Sequence, residues 1–195
     1  MKNSILAIIK HRRTIRTFNN RKVTKNVLKN ILEAGRWAPC PNNVQPWIFY
    51  VTKRNNFYTQ KIIKIIQKES KNESIGVSVF LNDSIKIFKS APIMIYIFKK
   101  CILAKRYAVL GPSYQQKGEL FEHQAISAAI ENMILCAEAY GIGSVWLGSP
   151  VFLSKKIEAI FKIDDELCAV IGLGYYDKKP AKIKKIPFSQ IVKFL

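Results

Sequence analysis

Apolar residues recur at helical spacing in several separate stretches of the chain. Ile5, Leu6, Ile8 and Ile9 place one stripe along residues 4–11, which predicts a short first helix. Val27, Leu28, Ile31 and Leu32 form a second stripe, with Thr24 as its N-cap and Pro39 marking where the helix must already have ended. Phe57, Ile62, Ile63, Ile65 and Ile66 predict a third helix over 57–69. The longest pattern runs through Ile126, Ala129, Ile130, Met133, Ile134 and Ala137, a helix from about 119 to 140 stopped by Gly141. Shorter helices are expected over 79–89 and 154–162.

Between these lie runs rich in β-branched and aromatic residues. WIFYVTK (47–53), residues 92–98, SVWLG (144–148) and LCAVIGLGY (167–175) read as strands. APCPNNVQPW holds three prolines and two asparagines and reads as a rigid, non-helical loop. KESKNESIG (68–76) is a polar link, and GPSYQQKG (111–118) reads as a loose segment. The tail IPFSQIVKFL (186–195) is too apolar to stay free in water and needs a surface to pack on. Helices mixed with a few strands, without a βαβ repeat or a dividing linker, predict one α+β domain over 1–195.

Composition narrows the class. Apolar residues make up 49% of the 195 positions, an ordinary globular proportion. The longest apolar run, APIMIYIF, is far short of the roughly 20 residues of a membrane span. MKNSILAIIKHRR carries its apolar stretch before its basic cluster and does not read as a signal peptide, so a reducing cytoplasm is the expected compartment. The net charge of +19 comes from 25 Lys and 7 Arg. Such a charge suits a non-enzymatic nucleic-acid-binding protein, but no nucleic-acid motif is present and the lysines do not gather on one helix of the sequence reading. Cys40, Cys101, Cys136 and Cys168 form no CxxC pair, which supports neither a zinc site nor a thioredoxin motif. Cys136 and Cys168 lie in apolar surroundings and read as core residues.

Three stretches carry candidate chemistry. HRRTIRTF (11–18) spends arginine where the chain otherwise uses lysine. On a helical or turn backbone Arg12 and Arg16 would face one way with Thr14 close by, a donor set for a phosphate monoester. The alternative is a solvated helix end interacting with its own C-terminal dipole. Asn43 and Gln45 in the proline-rich loop can donate and accept at once, which suits a heterocycle edge; amides in turns also commonly satisfy local backbone. Gly141, Gly143 and Gly148 permit close approach of a flat ligand, though a helix C-cap and a strand turn account for them as well, and without GxGxxG spacing a dinucleotide fingerprint is unsupported. His11 sits among cations that disfavour its protonation, and His123 belongs to the long helix. No Ser–His–Asp arrangement or metal-ligand spacing is readable, so chemistry is expected from a cofactor.

Taken in order, RRTIRTF, ILEAGRWAPCPNNVQPWIFYV, AISAAIENMILCAEAYGIGSVWLG, AVIGLGYYDKKP and a basic segment ending KKIP resemble the FMN-dependent nitroreductase family over nearly the whole chain. The resemblance implies a nitroreductase-like α+β fold, with a central, mostly antiparallel sheet flanked by helices, in an intertwined homodimer. It implies FMN at the subunit interface, the 119–140 helix in the dimer core and the tail embracing the partner. By the same resemblance Arg12, Arg13, Thr14 and Arg16 hold the FMN phosphate and the adjacent flavin edge. Pro39, Cys40, Asn43 and Gln45 belong to the loop beside the isoalloxazine, Asn43 as its hydrogen-bonding amide. Leu147, Gly148 and Ser149 approach the N5 side, and Lys185 completes the phosphate pocket. The implied reaction passes hydride from NADH or NADPH through FMN to a nitroaromatic, quinone or similar small-molecule acceptor in ping-pong fashion, with no catalytic side chain and no metal. Dehalogenation or flavin breakdown on the same scaffold is the alternative within enzymes. The chain departs from the family pattern at Cys40, where serine is frequent, at Pro41 and Asn42, and at Lys185, where arginine is commoner.

Overall fold

The computed structural model describes residues 4–72 and 74–195; the predicted polar link over 68–76 therefore lies partly outside the described residues, at Glu73. One strand, β2 (Ile93–Lys99), is buried along its whole length, and the fold is arranged on its two faces. Ile93, Ile95 and Ile97 join one apolar cluster, and Met94, Tyr96 and Phe98 join the other, as the two-residue alternation of a strand requires. β2 pairs with β1 (Trp47–Lys53) on one side and β4 (Glu166–Gly174) on the other. β4 in turn pairs with β3 (Gly143–Leu147), giving the order β1-β2-β4-β3 with every neighbour antiparallel. The ladder between β2 and β4 shifts register at Ile97/Phe98, opposite Ala169 and Leu167, which leaves Cys168 as the extra residue of a bulge.

Helices cover both faces. On the first, Ile31 of α2 (Lys25–Arg36) packs with Ile126, Ala129, Ile130 and Met133 of α6 (Pro112–Ala139). On the second, Ile62 and Ile66 of α3 (Phe57–Glu69), Leu81 and Phe88 of α4 (Ile75–Ser90), and Ile157 of α7 (Ser154–Phe161) meet Tyr96 and Phe98. Side chains cap three of the helix starts, with Thr24 as expected. Ser4 accepts a bond from the Ala7 amide to start α1 (Ile5–His11), Thr24 does the same for α2 and Asn56 for α3. Gly141, at φ 68°, ends α6: its own amide reaches the Glu138 carbonyl and that of Ile142 reaches Ala137, the paired bonds of a left-handed helix stop.

Three expectations are corrected. The segment over 111–118 is not loose. α6 begins at Pro112, whose fixed φ suits a first helical position. Gly118, read as a loop residue, instead allows α6 to meet α5 (Ile102–Ala108), a helix the apolar pattern did not disclose; a Cβ there would lie 2.7 Å from the Leu103 carbonyl. α4 spans Ile75–Ser90 rather than 79–89. Lysines do gather on one helix, since Lys61, Lys64 and Lys68 share the exposed side of α3 while Ile62, Ile63 and Ile66 face the core. The tail forms a short helix, α8 (Phe188–Ile191), and within the protomer Ile186, Phe188 and Phe194 stay 63%, 67% and 90% exposed, as a segment awaiting another surface would.

Two outcomes follow from this packing. Gly118→Ala should lower the denaturant midpoint, because backbone rather than a flexible side chain blocks the new methyl; overpacking of this kind costs about 1–3 kcal/mol. Gly76→Ala, with nothing within 4 Å, should instead raise it by about 1 kcal/mol through helix propensity, and equal shifts in the two variants would contradict the assignment. The second concerns pH. Burial pushes the Tyr96 phenol up from 10.0 to about 12, and burial, with the Glu166 carboxylate adding to it, pushes the Cys168 thiol from 9.0 to about 12. The native state then holds protons that the unfolded chain has released, so stability should fall as pH climbs from about 9 towards 12. Urea titrations through that window check this, and a flat midpoint would refute it.

Candidate functional site

The arginine segment is built by two local events. α1 ends at His11, and Arg13 turns back so that its Nη1 donates to the carbonyls of Lys10, His11 and Arg12 at 3.0, 3.2 and 2.6 Å. One guanidinium thus satisfies the open carbonyl end of the helix. The chain then runs extended beside β3: Thr14 bridges to Ser144, the Ile15 amide donates to the Ser144 carbonyl at 2.9 Å, and Ile15 and Phe18 are buried. The helical or turn backbone expected between Arg12 and Arg16 is therefore corrected. Arg16 is exposed and does not line the cleft that Arg12 faces.

That cleft, of about 420 Å3, unites Arg12, Arg13 and Thr14 with Lys182, Lys185 and Glu131. The basic residues arrive from opposite ends of the chain because the segment after β4 folds back over α1 and α6. Lys179 anchors it by donating to the Glu138 carboxylate, and His11 Nδ1 lies 2.8 Å from both that carboxylate and the Lys179 ammonium. The carboxylate partner of His11 was invisible in the sequence, 127 residues away, where only the neighbouring cations could be read. Behind the cleft wall that Arg13 helps to form, its Nε is buried and has no hydrogen-bond partner among the described residues. An unpaired cationic donor next to further cations is the feature that an anionic group would satisfy.

At the far end of β3, Leu147 is buried and Gly148 faces open space, with no atom within 4 Å of where its Cβ would be. Ser149 opens a short 3-10 turn (Ser149–Leu153). Gly148 lies four residues along the strand from Ser144, about 13 Å at strand rise.

The loop at Pro39–Gln45 lies elsewhere. It feeds β1, at the opposite edge of the sheet from β3, three strand spacings or about 14 Å across. Within it Asn42, Asn43 and Gln45 all hold positive φ, 50°, 52° and 47°, which asparagine tolerates and glutamine seldom adopts. The Gln45 amide donates to Cys40 Sγ at 3.3 Å, and the Gln45 side chain donates to Asn43 Oδ1 at 3.3 Å. Pro39 is exposed and Cys40 half-buried. Strain held in an exposed loop of this kind is typical of ligand-contacting segments. One protomer therefore brings together Arg12, Arg13, Thr14 and Lys185, sets Leu147, Gly148 and Ser149 along the same edge, and leaves Pro39, Cys40, Asn43 and Gln45 on the other.

A further cluster was not anticipated. Lys99, 2% exposed, donates to Glu166 at 2.8 Å and lies 3.1 Å from His123 Nε2. Burial alone would lower its pKa; the bond to Glu166 and that residue's charge outweigh burial, and the net shift is upward. His123, Glu166 and Cys168 offer donor atoms within 4.8 Å of one another, and the lysine ammonium already supplies the cation between the imidazole and the carboxylate. No helix among the described residues is long and apolar enough to cross a membrane.

Known proteins resemble this chain in sequence and in fold. The YfhC protein of Bacillus subtilis, named for an inferred NAD(P)H nitroreductase activity, is 26% identical over 92% of this chain and 88% of its own. The NADPH-flavin oxidoreductase of Vibrio harveyi is 23% identical over 98% of this chain and 73% of its own, and the human iodotyrosine deiodinase 1 is 24% identical over 95% and 66%. Among solved structures, a BluB-like flavoprotein of Clostridium difficile superposes with a TM-score of 0.84 at 24% identity over 99% of both chains. A nitroreductase-type protein of Desulfovibrio desulfuricans, solved in complex with FMN, gives 0.76 at 24% over 98% and 96%. The model of the nitroreductase family matches residues 9–175, which takes in the extended arginine segment, the strained loop and all four strands. The chain belongs to the nitroreductase family.

Proposed function

We propose that the protein is an FMN-dependent oxidoreductase that takes electrons from NAD(P)H and works as a homodimer. The observation that carries this is the cleft that joins Arg12, Arg13, Thr14 and Lys185 in front of an unpartnered, buried Arg13 Nε. In this reading Arg12 and Lys185 neutralise the FMN phosphate, the Thr14 hydroxyl adds a donor, and Arg13 Nε makes the bond it lacks within the protomer. Gly148, open on its Cα side, leaves room for the ring where a side chain would intrude. Bound FMN supplies the chemistry itself, accepting hydride at N5 from the nicotinamide and passing it to a nitroaromatic, quinone or related acceptor.

The strained loop across the sheet completes the site only if a second copy supplies it. Pro39, Cys40, Asn43 and Gln45 would then meet the ring from the partner, their positive-φ backbone fixing both amides before the ligand arrives. The exposed tail supports the same assembly. Ile186, Phe188, Ile191 and Phe194 present apolar surface that water disfavours at roughly 25 cal/mol per Å2. A groove of about 680 Å3 along β1, walled by Leu28, Leu32, Trp47 and Phe49, offers a complementary surface.

Cytoplasmic location and the absence of a nucleic-acid role belong to this reading too; the gathered lysines of α3 would give only salt-sensitive, non-specific attraction to anionic surfaces. The likeness to a deiodinase makes halogenated phenols the second acceptor class to assay.

The protein should purify yellow, and NADH or NADPH should bleach it under anaerobic conditions. Arg12→Ala and Lys185→Ala should each raise the FMN dissociation constant about tenfold or more, as loss of a charge-assisted bond worth about 1.5–3 kcal/mol requires. Fluorescence titration checks this, and unchanged affinity in the double variant would remove the phosphate assignment. Phe188→Asp with Ile191→Asp should yield monomers in sedimentation runs and lose FMN in parallel. Full flavin occupancy in such monomers would refute the two-protomer site.

A further inference from the structure

Ser84 lies in the third turn of α4, 1% exposed, with a hydroxyl that makes two contacts. Its Oγ is 3.1 Å from the Phe80 carbonyl and 2.5 Å from Ser149 Oγ. A hydroxyl carries one proton. The Phe80 carbonyl can only accept, so that bond consumes the proton of Ser84. The second contact is then a hydrogen bond only if Ser149 donates to Ser84. Both bonds exist together in one arrangement alone: Ser149 to Ser84 to Phe80.

The consequence falls on Ser149. Its proton is committed inward, and what it can offer outward is lone pairs. Ser149 is half-buried, directly after the open Gly148, at the end of β3. We propose that Ser84 is a positioning residue that fixes Ser149 as a hydrogen-bond acceptor at the edge of the bound isoalloxazine. This rests on the reading that Leu147, Gly148 and Ser149 abut the N5 side of FMN. Oxidised flavin has an accepting nitrogen at N5, whereas the two-electron-reduced ring carries N–H there. An outward-facing acceptor therefore favours the reduced ring and raises the midpoint potential of the bound cofactor.

The test is spectroelectrochemical titration of the FMN-loaded protein. Ser84→Ala removes the acceptor of the Ser149 proton and frees that hydroxyl to donate to oxidised N5. The preference for reduced over oxidised FMN should drop about three- to tenfold, the range of one net hydrogen bond. A tenfold drop corresponds to a potential about 30 mV more negative for a two-electron couple. Alanine suits a helix better than serine, so the variant should fold, and a thermal melt verifies it.

A merely structural role for Ser84 is separated by a double-mutant cycle. Ser149→Ala should also lower the potential, and adding Ser84→Ala to it should change nothing more. An unchanged potential in Ser84→Ala would overturn the proposal, as would an equal shift in the presence and absence of the Ser149 hydroxyl. In either case a wild-type protein that still binds FMN leaves the cofactor reading standing. Failure of the wild type to bind FMN at all would sink both.

Discussion

The whole site hangs on one short piece of backbone pairing. Residues 12–18 run beside β3 through the Thr14–Ser144 bridge and the Ile15 amide bond, and the burial of Ile15 and Phe18 locks that register. A shift by one residue would turn Ile15 to water and bring Arg16 inward, and a buried unpaired guanidinium costs several kcal/mol. The apolar positions thus decide where the cations stand. Gly143 serves the same contact, since a Cβ there would come within 2.7 Å of the Ile15 side chain. From this anchor follow the return of the basic segment at Lys182–Lys185 and the placement of Gly148 at the other end of the strand.

The sheet order imposes the second constraint. With β1 and β3 at opposite edges, the strained loop and the arginine segment of one protomer cannot converge without crossing two central strands that are buried on both faces. The chain leaves its exposed apolar tail and the groove along β1 unfilled in the same protomer. A site divided between two edges and an apolar surplus with no place of its own are one geometric problem. A second copy related by a two-fold axis, as proposed, would answer both at once, because a self-complementary interface would supply each element twice.

Much of this was legible in the residues. Strand bounds followed from aromatic and β-branched runs, and the start of α2 followed from Thr24, because periodicity and capping are local properties. The errors were non-local. Gly118 looked like a breaker because the backbone of α5 that it approaches cannot be seen from its own neighbours. His11 was read among cations because Glu138 is brought to it only by tertiary packing. Arg12 and Arg16 were placed on a turn because nothing in RRTIRTF reveals that β3 will accept it as an extended partner. Ser84 carried no signal at all: a lone serine in a helix is unremarkable until Ser149 is found against it.

The use of arginine in a lysine-rich chain makes the argument from a different side. Seven arginines stand against 25 lysines, and three of the seven do work that a lysine point charge cannot do. Arg21 stacks 3.9 Å over the Tyr175 ring. Arg36 grips both carboxylate oxygens of Glu33 while lying over Trp37. Arg54 bridges the Ser90 carbonyl and the Asn20 amide oxygen. Among the described residues Arg12, Arg16 and Arg106 make no such bond within the protomer. Of these three only Arg12 faces the cleft whose wall covers the unpartnered Arg13 Nε. Arg12 is left open beside the Thr14 hydroxyl and Lys10, Lys182 and Lys185, a donor set of the kind that the proposed phosphate contact would need.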